Sequence, residues 1–355
     1  MSSGKTDREA SDILHTLQSN PKVFMRDPKS VERKLKTLID GGFDKLMVIS
    51  DFDYTISRFK DENGEKCWTT HGIFDNCAKQ LSVELQQKFH ELKEKYLPIE
   101  FDPKMSIEEK TPYMLAWWRE SHAYIKDNKF KRQMIEQAVY DSKVKLRDGA
   151  AEFLKNVCAK SVPLVCFSAG IGNLIEIFLK WQLGNVPENL HIISNQMNFD
   201  AEDFCTGFND PLIHTFNKNA SVVNKERPYF HSIRNRPYVL LLGDSLGDIH
   251  MDVGVEEEGE ALRIGYLNFN FDELRDEYQR CYDIVLTDDQ TFNVPTIIFT
   301  HIHDSIKAAR KSEQSLRKWI RQSKLRVELN FLLRAQIFRF YVHFDVPIKF
   351  TRNFV

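Results

Sequence analysis

The spacing of apolar side chains divides the chain into stretches of two kinds. The first forty or so residues follow a helical period, and "VERKLKTLIDGG" closes on Gly41 and Gly42, a pair that suits a helix stop. The next stretch, "FDKLMVIS", reads as a strand buried on both faces. From about Cys67 to Lys145 long helical periods take over, as in "NCAKQLSVELQQKFHELKEKYL" and "KRQMIEQAVYDSKV", with the Pro98 and Pro103 segment between them. This pattern predicts a helical insertion.

At "LRDGAAEFLKNVCAKSVPLVCFSAGIGNLIEIFLKWQ" alternation returns. Asp148 is expected to cap a helix, Pro163 to open an apolar strand, and "SAGIGN" to turn into a further helix. "LHIISNQMNF" and "PYVLLLGDSLGD" are strand-like, the second ending in an acidic turn. Apolar strands alternating with helices predict an α/β protein built on a parallel sheet, with functional groups at the carboxyl ends of its strands. There is no internal repeat and no low-complexity tract.

Composition narrows the classes. With 42% hydrophobic and 28% charged residues, the 355-residue chain suits a globular protein with a sizeable core. A formal net charge of −2 gives no global reason to expect nucleic acid or an acidic membrane as partner, and a monomer is expected. Cys67, Cys77, Cys158, Cys166, Cys205 and Cys281 form no C-x-x-C pair and read as reduced thiols. The polar start, "MSSGKTDREASDILHTLQ", lacks the apolar block of a signal peptide, and no apolar run reaches the roughly 18 residues of a membrane span. A cytoplasmic location and no transmembrane segment are expected.

Candidate chemistry sits in "MVISDFDYTIS". Asp51 and Asp53 follow an apolar run, and alternate residues of an extended chain share a side only while the strand continues. Two carboxylates on one target point to a metal, a proton transfer or both. A carboxylate at a strand end can attack phosphorus, and a second one can protonate the leaving group and later activate water. Taken alone, the pair also fits an acidic turn or a helix cap, and "GDSLGD" with Asp244 and Asp248 also fits a Gly-Asp turn before a capped helix. Several carboxylates on one phosphate demand a counter-charge, because at about 4 Å each unit pair costs about 4 kcal/mol at an effective dielectric near 20.

Four stretches in order, "DFDYT" (Asp51, Asp53, Thr55), "FSAG" (Ser168, Ala169, Gly170), the lysine of "FNK" (Lys218) and "GDSLGD", resemble the signature motifs of the haloacid dehalogenase superfamily. "SDFDYTIS", "YLPIEFDP", "FSAGIGN", "LIHTFNK" and "LLLGDSLGDIHM" look like the cytosolic 5'-nucleotidase III (pyrimidine 5'-nucleotidase) family, over roughly residues 20 to 298. The resemblance implies a Rossmannoid core, with a helical cap inserted between the first and second motifs. The organisation would be N-terminal helices and the start of the core over 1–66, cap over 67–145, the rest of the core over 146–300, and an extension of unknown role over 301–355.

The resemblance also implies roles. Asp51 would be the nucleophile and Asp53 the general acid and base. Mg²⁺ would be held by Asp51, Asp244 and the main-chain carbonyl of Asp53, with Asp248 in the outer shell. Ser168, the N–H groups of Ala169 and Gly170, and Lys218 would bind the phosphoryl oxygens. Glu100 and Trp118 would read the base of a nucleoside monophosphate, by hydrogen bonds and by stacking. Trp118 also reads as core of the insertion, and Glu100 as a solvated helix-end charge. His71 matches a family histidine but is left out of the site, and Trp68 and Thr70 depart from the proline and cysteine usual there.

The expected activity is hydrolysis of CMP, UMP and 7-methylguanosine monophosphate through an aspartyl-phosphate. The competing classes are another small-phosphate phosphatase of the superfamily, such as one acting on phosphoserine, and a non-catalytic nucleotide-binding relative. Beyond the resemblance, residues 301–355 carry 12 Lys and Arg against 4 acidic residues and include the apolar "LNFLLRAQIFRFYVHF". They read as an appended helix and strand, or as a basic surface for membrane or RNA.

Overall fold

The computed structural model describes residues 3–102, 104–219, 233, 235–252 and 259–302. Residues 303–355, with the expected C-terminal extension, lie outside the described residues. The described elements belong to one compact unit, Met1–His303.

Two helices lead into the sheet, α1 (Ser3–Gln18) and α2 (Pro28–Gly41), with the short strand β1 (Val23–Phe24) between them. Asp27 caps α2 by accepting the Ser30 N–H at 3.0 Å, and Pro28 supplies a preset φ at the first turn. β2 (Leu46–Ser50) is buried at every position, as its unbroken apolar run requires. The insertion follows as α3 (Thr70–Leu81), α4 (Val83–Glu100), α5 (Ile107–Asp127) and α6 (Arg132–Tyr140).

The stretch from Asn76 to Leu97 is helical as expected and divides at Ser82, which leaves the helical conformation and caps Leu85 with its hydroxyl at 3.2 Å. One local expectation fails here. Pro98 lies inside the last turn of α4 rather than in a connecting segment.

The core resumes with α7 (Ala150–Ala159), β3 (Leu164–Ile171), α8 (Gly172–Leu183), β4 (Leu190–Asn195), β5 (Met197–Phe199), β6 (Cys205–Phe208), β7 (Tyr238–Gly243), β8 (Glu260–Leu267), α9 (Phe271–Cys281) and β9 (Ile284–Thr287). Asp148 does not cap α7. Gly149 takes that position in a left-handed conformation (φ 81), and the Asp148 carboxylate faces Arg58 at 3.4 Å instead.

The main sheet has the order β1-β9-β8-β7-β2-β3-β4; all its neighbours are parallel except the edge pair β1 and β9. β5 and β6 form a separate antiparallel pair. Strand order reverses at β2, which pairs with β7 on one side and β3 on the other. A crevice opens at such a reversal, beyond the carboxyl ends of the strands. Met47, Ile49, Val165, Phe167, Val239 and Leu241 pack one face of these three strands as a single apolar cluster. The loops that carry the chemistry are thereby anchored to a rigid floor.

Candidate active site

β2 ends at Ser50, and the chain leaves it in a tight turn over 52–56 rather than continuing extended. Strict alternation therefore does not place the two aspartates. Tyr54 adopts φ 61 and ψ 9, a left-handed conformation costing roughly 1–2 kcal/mol for a residue with a Cβ. Arg147 holds it there. Its guanidinium, 1% exposed, donates to the Thr55 carbonyl and to Asn268 Oδ1, both at 2.8 Å, and to the carbonyls of Tyr54 and Asp289. Sequence reading missed Arg147; its only sign was a basic residue just ahead of an Asp-Gly turn.

Asp51 is 4% exposed, and its N–H donates to the Leu242 carbonyl at 3.0 Å, which ties the start of the turn to β7. Lys218, equally buried, donates to Asp51 Oδ1 and, at 2.7 Å, to Asp248 Oδ1. Asp248 Oδ2 accepts the N–H groups of Asp244 at 3.1 Å and Ser245 at 3.0 Å. Gly243 permits that approach, since a Cβ there would lie 2.5 Å from the Asp248 Cβ. One carboxylate oxygen from each of Asp51, Asp244 and Asp248 lies within 4.8 Å of the others.

Charge in this trio is under-compensated. Burial lifts the Asp51 carboxyl to about 7; Lys218 opposes the shift and Asp248 adds to it. Burial, then Asp51 and Asp248, hold Asp244 well above the usual carboxylate range. Burial also works against the Lys218 charge, yet Asp248 and Asp51 raise its pKa above the ordinary lysine value. Three carboxylates facing one ammonium, with oxygen donors only, suit a hard divalent cation. Thr55 Oγ1, fully buried, has no hydrogen-bond partner among the described residues.

Asp53 stands apart from the trio. Its Oδ1 accepts the Thr70 N–H at 2.8 Å and its Oδ2 the Thr70 hydroxyl at 2.6 Å, at the start of α3. Burial lifts its carboxyl to about 6 against the pull of these two bonds.

Ser168, Ala169 and Gly170 belong to the end of β3, where pairing with β4 loses register between Phe167 and Ile171, and α8 begins only at Gly172. The strand-to-helix turn expected at these residues is thus an irregular strand end. The Gly170 N–H donates to Ser168 Oγ at 3.0 Å. Asn195 Nδ2 donates to the carbonyls of Ala169 and Ile213, both at 2.8 Å, and Asn195 Oδ1 accepts the Ile213 N–H at 2.9 Å. Asn195 thereby joins this loop to the segment that carries Lys218, a role the spacing of "ISNQM" did not suggest.

The base-reading candidates lie on the insertion. Trp118 is 7% exposed, and its indole N–H donates to the Ala169 carbonyl at 2.8 Å. His71, Trp117 and His214 surround its ring, with centroids 5.6, 5.3 and 6.4 Å away. Glu100, the last residue of α4, accepts the Thr215 hydroxyl at 2.7 Å, three residues before Lys218, and burial raises its pKa. His71 itself is pushed down to about 4 by burial, so it is neutral at neutral pH.

A buried carboxylate held against an ammonium, a second one beside a loop of N–H donors, and an oxygen-lined acidic trio make up the equipment of phosphoryl transfer. Residues 54–303 match the family model for pyrimidine 5'-nucleotidase (UMPH-1), and the chain belongs to that family. It is accordingly a 5'-nucleotidase, a phosphatase of nucleotides, with a haloacid dehalogenase-like α/β fold. A Caenorhabditis elegans protein named as a cytosolic 5'-nucleotidase 3 is 48% identical over 295 residues, covering 82% of this chain and 78% of its own. A Rattus norvegicus protein named 7-methylguanosine phosphate-specific 5'-nucleotidase is 41% identical over 280 residues, covering 79% and 92%. The crystal structure of cytosolic 5'-nucleotidase IIIB bound to cytidine has a TM-score of 0.75 at 32% identity, covering 83% of this chain and 98% of that one. Among the described residues, no helix is long and apolar enough to cross a membrane.

Proposed function

We propose that the protein hydrolyses nucleoside 5'-monophosphates in two displacements on Asp51. The observation that carries this reading is the Lys218 ammonium held between Asp51 and Asp248, with Asp53 across the phosphate loop. An Asp51 oxygen attacks phosphorus, the bond from phosphorus to O5' breaks, and O5' takes a proton from the Asp53 carboxyl group. Asp53, now a carboxylate, takes a proton from water, whose oxygen attacks the aspartyl-phosphate; the acyl-oxygen bond to phosphorus breaks and frees Asp51 and phosphate. Ser168, the N–H groups of Ala169 and Gly170, and Lys218 hold the phosphoryl oxygens as charge spreads over them.

Asp51, Asp244 and the main-chain carbonyl of Asp53 are the groups that would hold Mg²⁺, with Asp248 behind them; when bound, Mg²⁺ supplies the charge that offsets carboxylates and phosphate together. Asp248 suits the outer position because N–H donors already occupy both of its oxygens.

The insertion acts as a cap over residues 67–145 and selects the nucleoside. Glu100 offers an acceptor to an amino or imino edge, and Trp118, steadied by its bond to Ala169, offers a ring face to the base. The pyrimidine 5'-nucleotidase family and the cytidine-bound structure support CMP and UMP as substrates, and the name of the rat relative supports 7-methylguanosine monophosphate. We assign the protein to the cytoplasm as a monomer.

A panel of CMP, UMP, 7-methylguanosine monophosphate, AMP, GMP and phosphoserine, with Mg²⁺ and then with chelator, tests the reading. Phosphate release from the first three, abolished by chelator, is the expected result. Preference for phosphoserine would make this another small-phosphate phosphatase, and binding without turnover a non-catalytic relative.

A further inference from the structure

Among the described residues, the Asp53 carboxylate is held by one residue, Thr70, which opens the first helix of the insertion. Both Thr70 donors are spent on it: the N–H on Oδ1 at 2.8 Å and the hydroxyl on Oδ2 at 2.6 Å. Thr70 is 1% exposed, so water does not compete for either bond. α3 is 12 residues long, and its cap is the preceding residue, Thr69, whose hydroxyl accepts the Gly72 N–H at 3.1 Å. The Thr70 hydroxyl is therefore not occupied in starting the helix.

Gly170 supplies a second, independent observation. A Cβ there would lie 2.2 Å from Thr70 Oγ1 and 3.1 Å from both Asp53 Oδ2 and Ser168 Oγ. The bare backbone at 170 lets Thr70, Asp53 and the phosphate loop meet at one point.

The hydroxyl also suits the duty. A group that gives up a proton and regains it in each turnover must keep one lone pair open for that proton. The Thr70 N–H and hydroxyl each occupy one lone pair, on different oxygens of Asp53. They donate in either protonation state and leave the remaining lone pairs free to carry the proton handed to the leaving oxygen. We propose that Thr70 is a positioning residue that aims Asp53 at the leaving oxygen in both protonation states, so that the first helix of the insertion completes the proton-transfer site. This deepens the reading above and rests on it.

The test compares two esters in Thr70→Val and Thr70→Ser, using kcat/KM, which reports only steps up to aspartyl-phosphate formation. UMP releases a nucleoside alkoxide that must be protonated; p-nitrophenyl phosphate releases a stable phenolate that need not be. In Thr70→Val the UMP value is expected to fall by about 10- to 100-fold, part of the 10²- to 10⁴-fold range of general acid catalysis, and the nitrophenyl value by less than about threefold. Thr70→Ser, which keeps the hydroxyl, restores the UMP value. Equal losses on both esters, or a serine variant no better than valine, overturn the inference and leave the proposed activity standing. If Thr70→Val does not fold, Thr70→Ser and Thr70→Ala carry the same test: loss on UMP alone in alanine supports the role, and equal loss on both esters overturns it. Wild-type protein inactive on both esters sinks the proposed activity and the inference together.

Discussion

The carboxyl ends of the core strands and the facing side of the helical insertion bring opposite kinds of group to one crevice. The core side is charged: Lys218 bonds to Asp51 and Asp248, one carboxylate oxygen from each of Asp51, Asp244 and Asp248 lies within 4.8 Å of the others, and burial drives the Asp51 and Asp244 carboxyls upward. The insertion side is mostly neutral and aromatic, with Trp117, Trp118 and Tyr96 packed together and His71 pushed down to about 4 by burial. The contrast teaches a division of labour. In the proposed mechanism, charge that polarises phosphorus is built on rigid strand ends, and surfaces that choose the rest of the substrate are built on helices that can differ without disturbing it. Thr70 and Glu100 are the places where the insertion reaches into the charged side.

The sharpest way to break the division is to strike the core alone. Asp51→Asn keeps the shape but cannot attack phosphorus, so turnover is expected to fall below about one thousandth of wild type on every nucleotide alike, with the fold retained. Steady-state rates with circular dichroism check it, and a rate near wild type would reject the displacement on Asp51. Next in size, Asp244→Ala is expected to raise the Mg²⁺ concentration giving half-maximal rate at least about tenfold. Titrating the metal against phosphate release measures this, and an unchanged midpoint would remove Asp244 from the metal site.

Striking the insertion should change preference rather than chemistry. Trp118→Leu is expected to lower kcat/KM for 7-methylguanosine monophosphate by about 3- to 30-fold more than for UMP, because the methylated ring carries positive charge that a tryptophan face attracts by about 0.5–2 kcal/mol. Equal losses on both would mean that Trp118 acts through its bond to Ala169 and not on the base.

A smaller effect separates the two sides by pH. His122 Nε2 is buried without a partner among the described residues, and its ring stacks on Phe208 at 3.7 Å. With its folded pKa pushed down to about 3 from 6.5, the unfolded chain binds the extra proton between those values, so stability falls as pH falls through this window. The loss is about 1.4 kcal/mol for each pH unit. Denaturant unfolding of wild type and His122→Phe at pH 7 and pH 5 isolates that slope, because changes at the carboxylates cancel in the difference. Parallel pH profiles would show that the His122 environment is wetter than the packing implies. Smallest of all, a chain ending after His303 is expected to keep its specificity constants, since the family match also ends there. A folded truncation without turnover would show that the remaining residues help to build the site.

Sequence reading reached the charged side further than the aromatic side, and the reason is local geometry. "DFDYT" and "GDSLGD" each place their carboxylates within a few residues of a strand end, so an apolar run followed by acid locates them without any knowledge of packing. Lys218 was recognisable only beside those motifs; its 5% exposure and its two carboxylate partners come from segments 167 and 30 residues away. Alternation did not predict how Asp53 is held, because β2 stops at Ser50 and the left-handed Tyr54 redirects the chain.

What the sequence determined by itself was the alternation of buried strands with helices, the carboxylates at their ends, and the interruption of the core by a helical insertion. These are consequences of periodicity, which neighbouring residues express without reference to the rest of the chain. Tertiary structure decided the rest. It brought Arg147 under the strained turn across 93 residues, Asn195 between the phosphate loop and the lysine segment, and Thr70 onto Asp53 across 17 residues. Each acts on main-chain or carboxylate groups whose positions exist only once the strands are side by side, and a hydrogen bond between such distant positions leaves no periodic trace in the residues that make it.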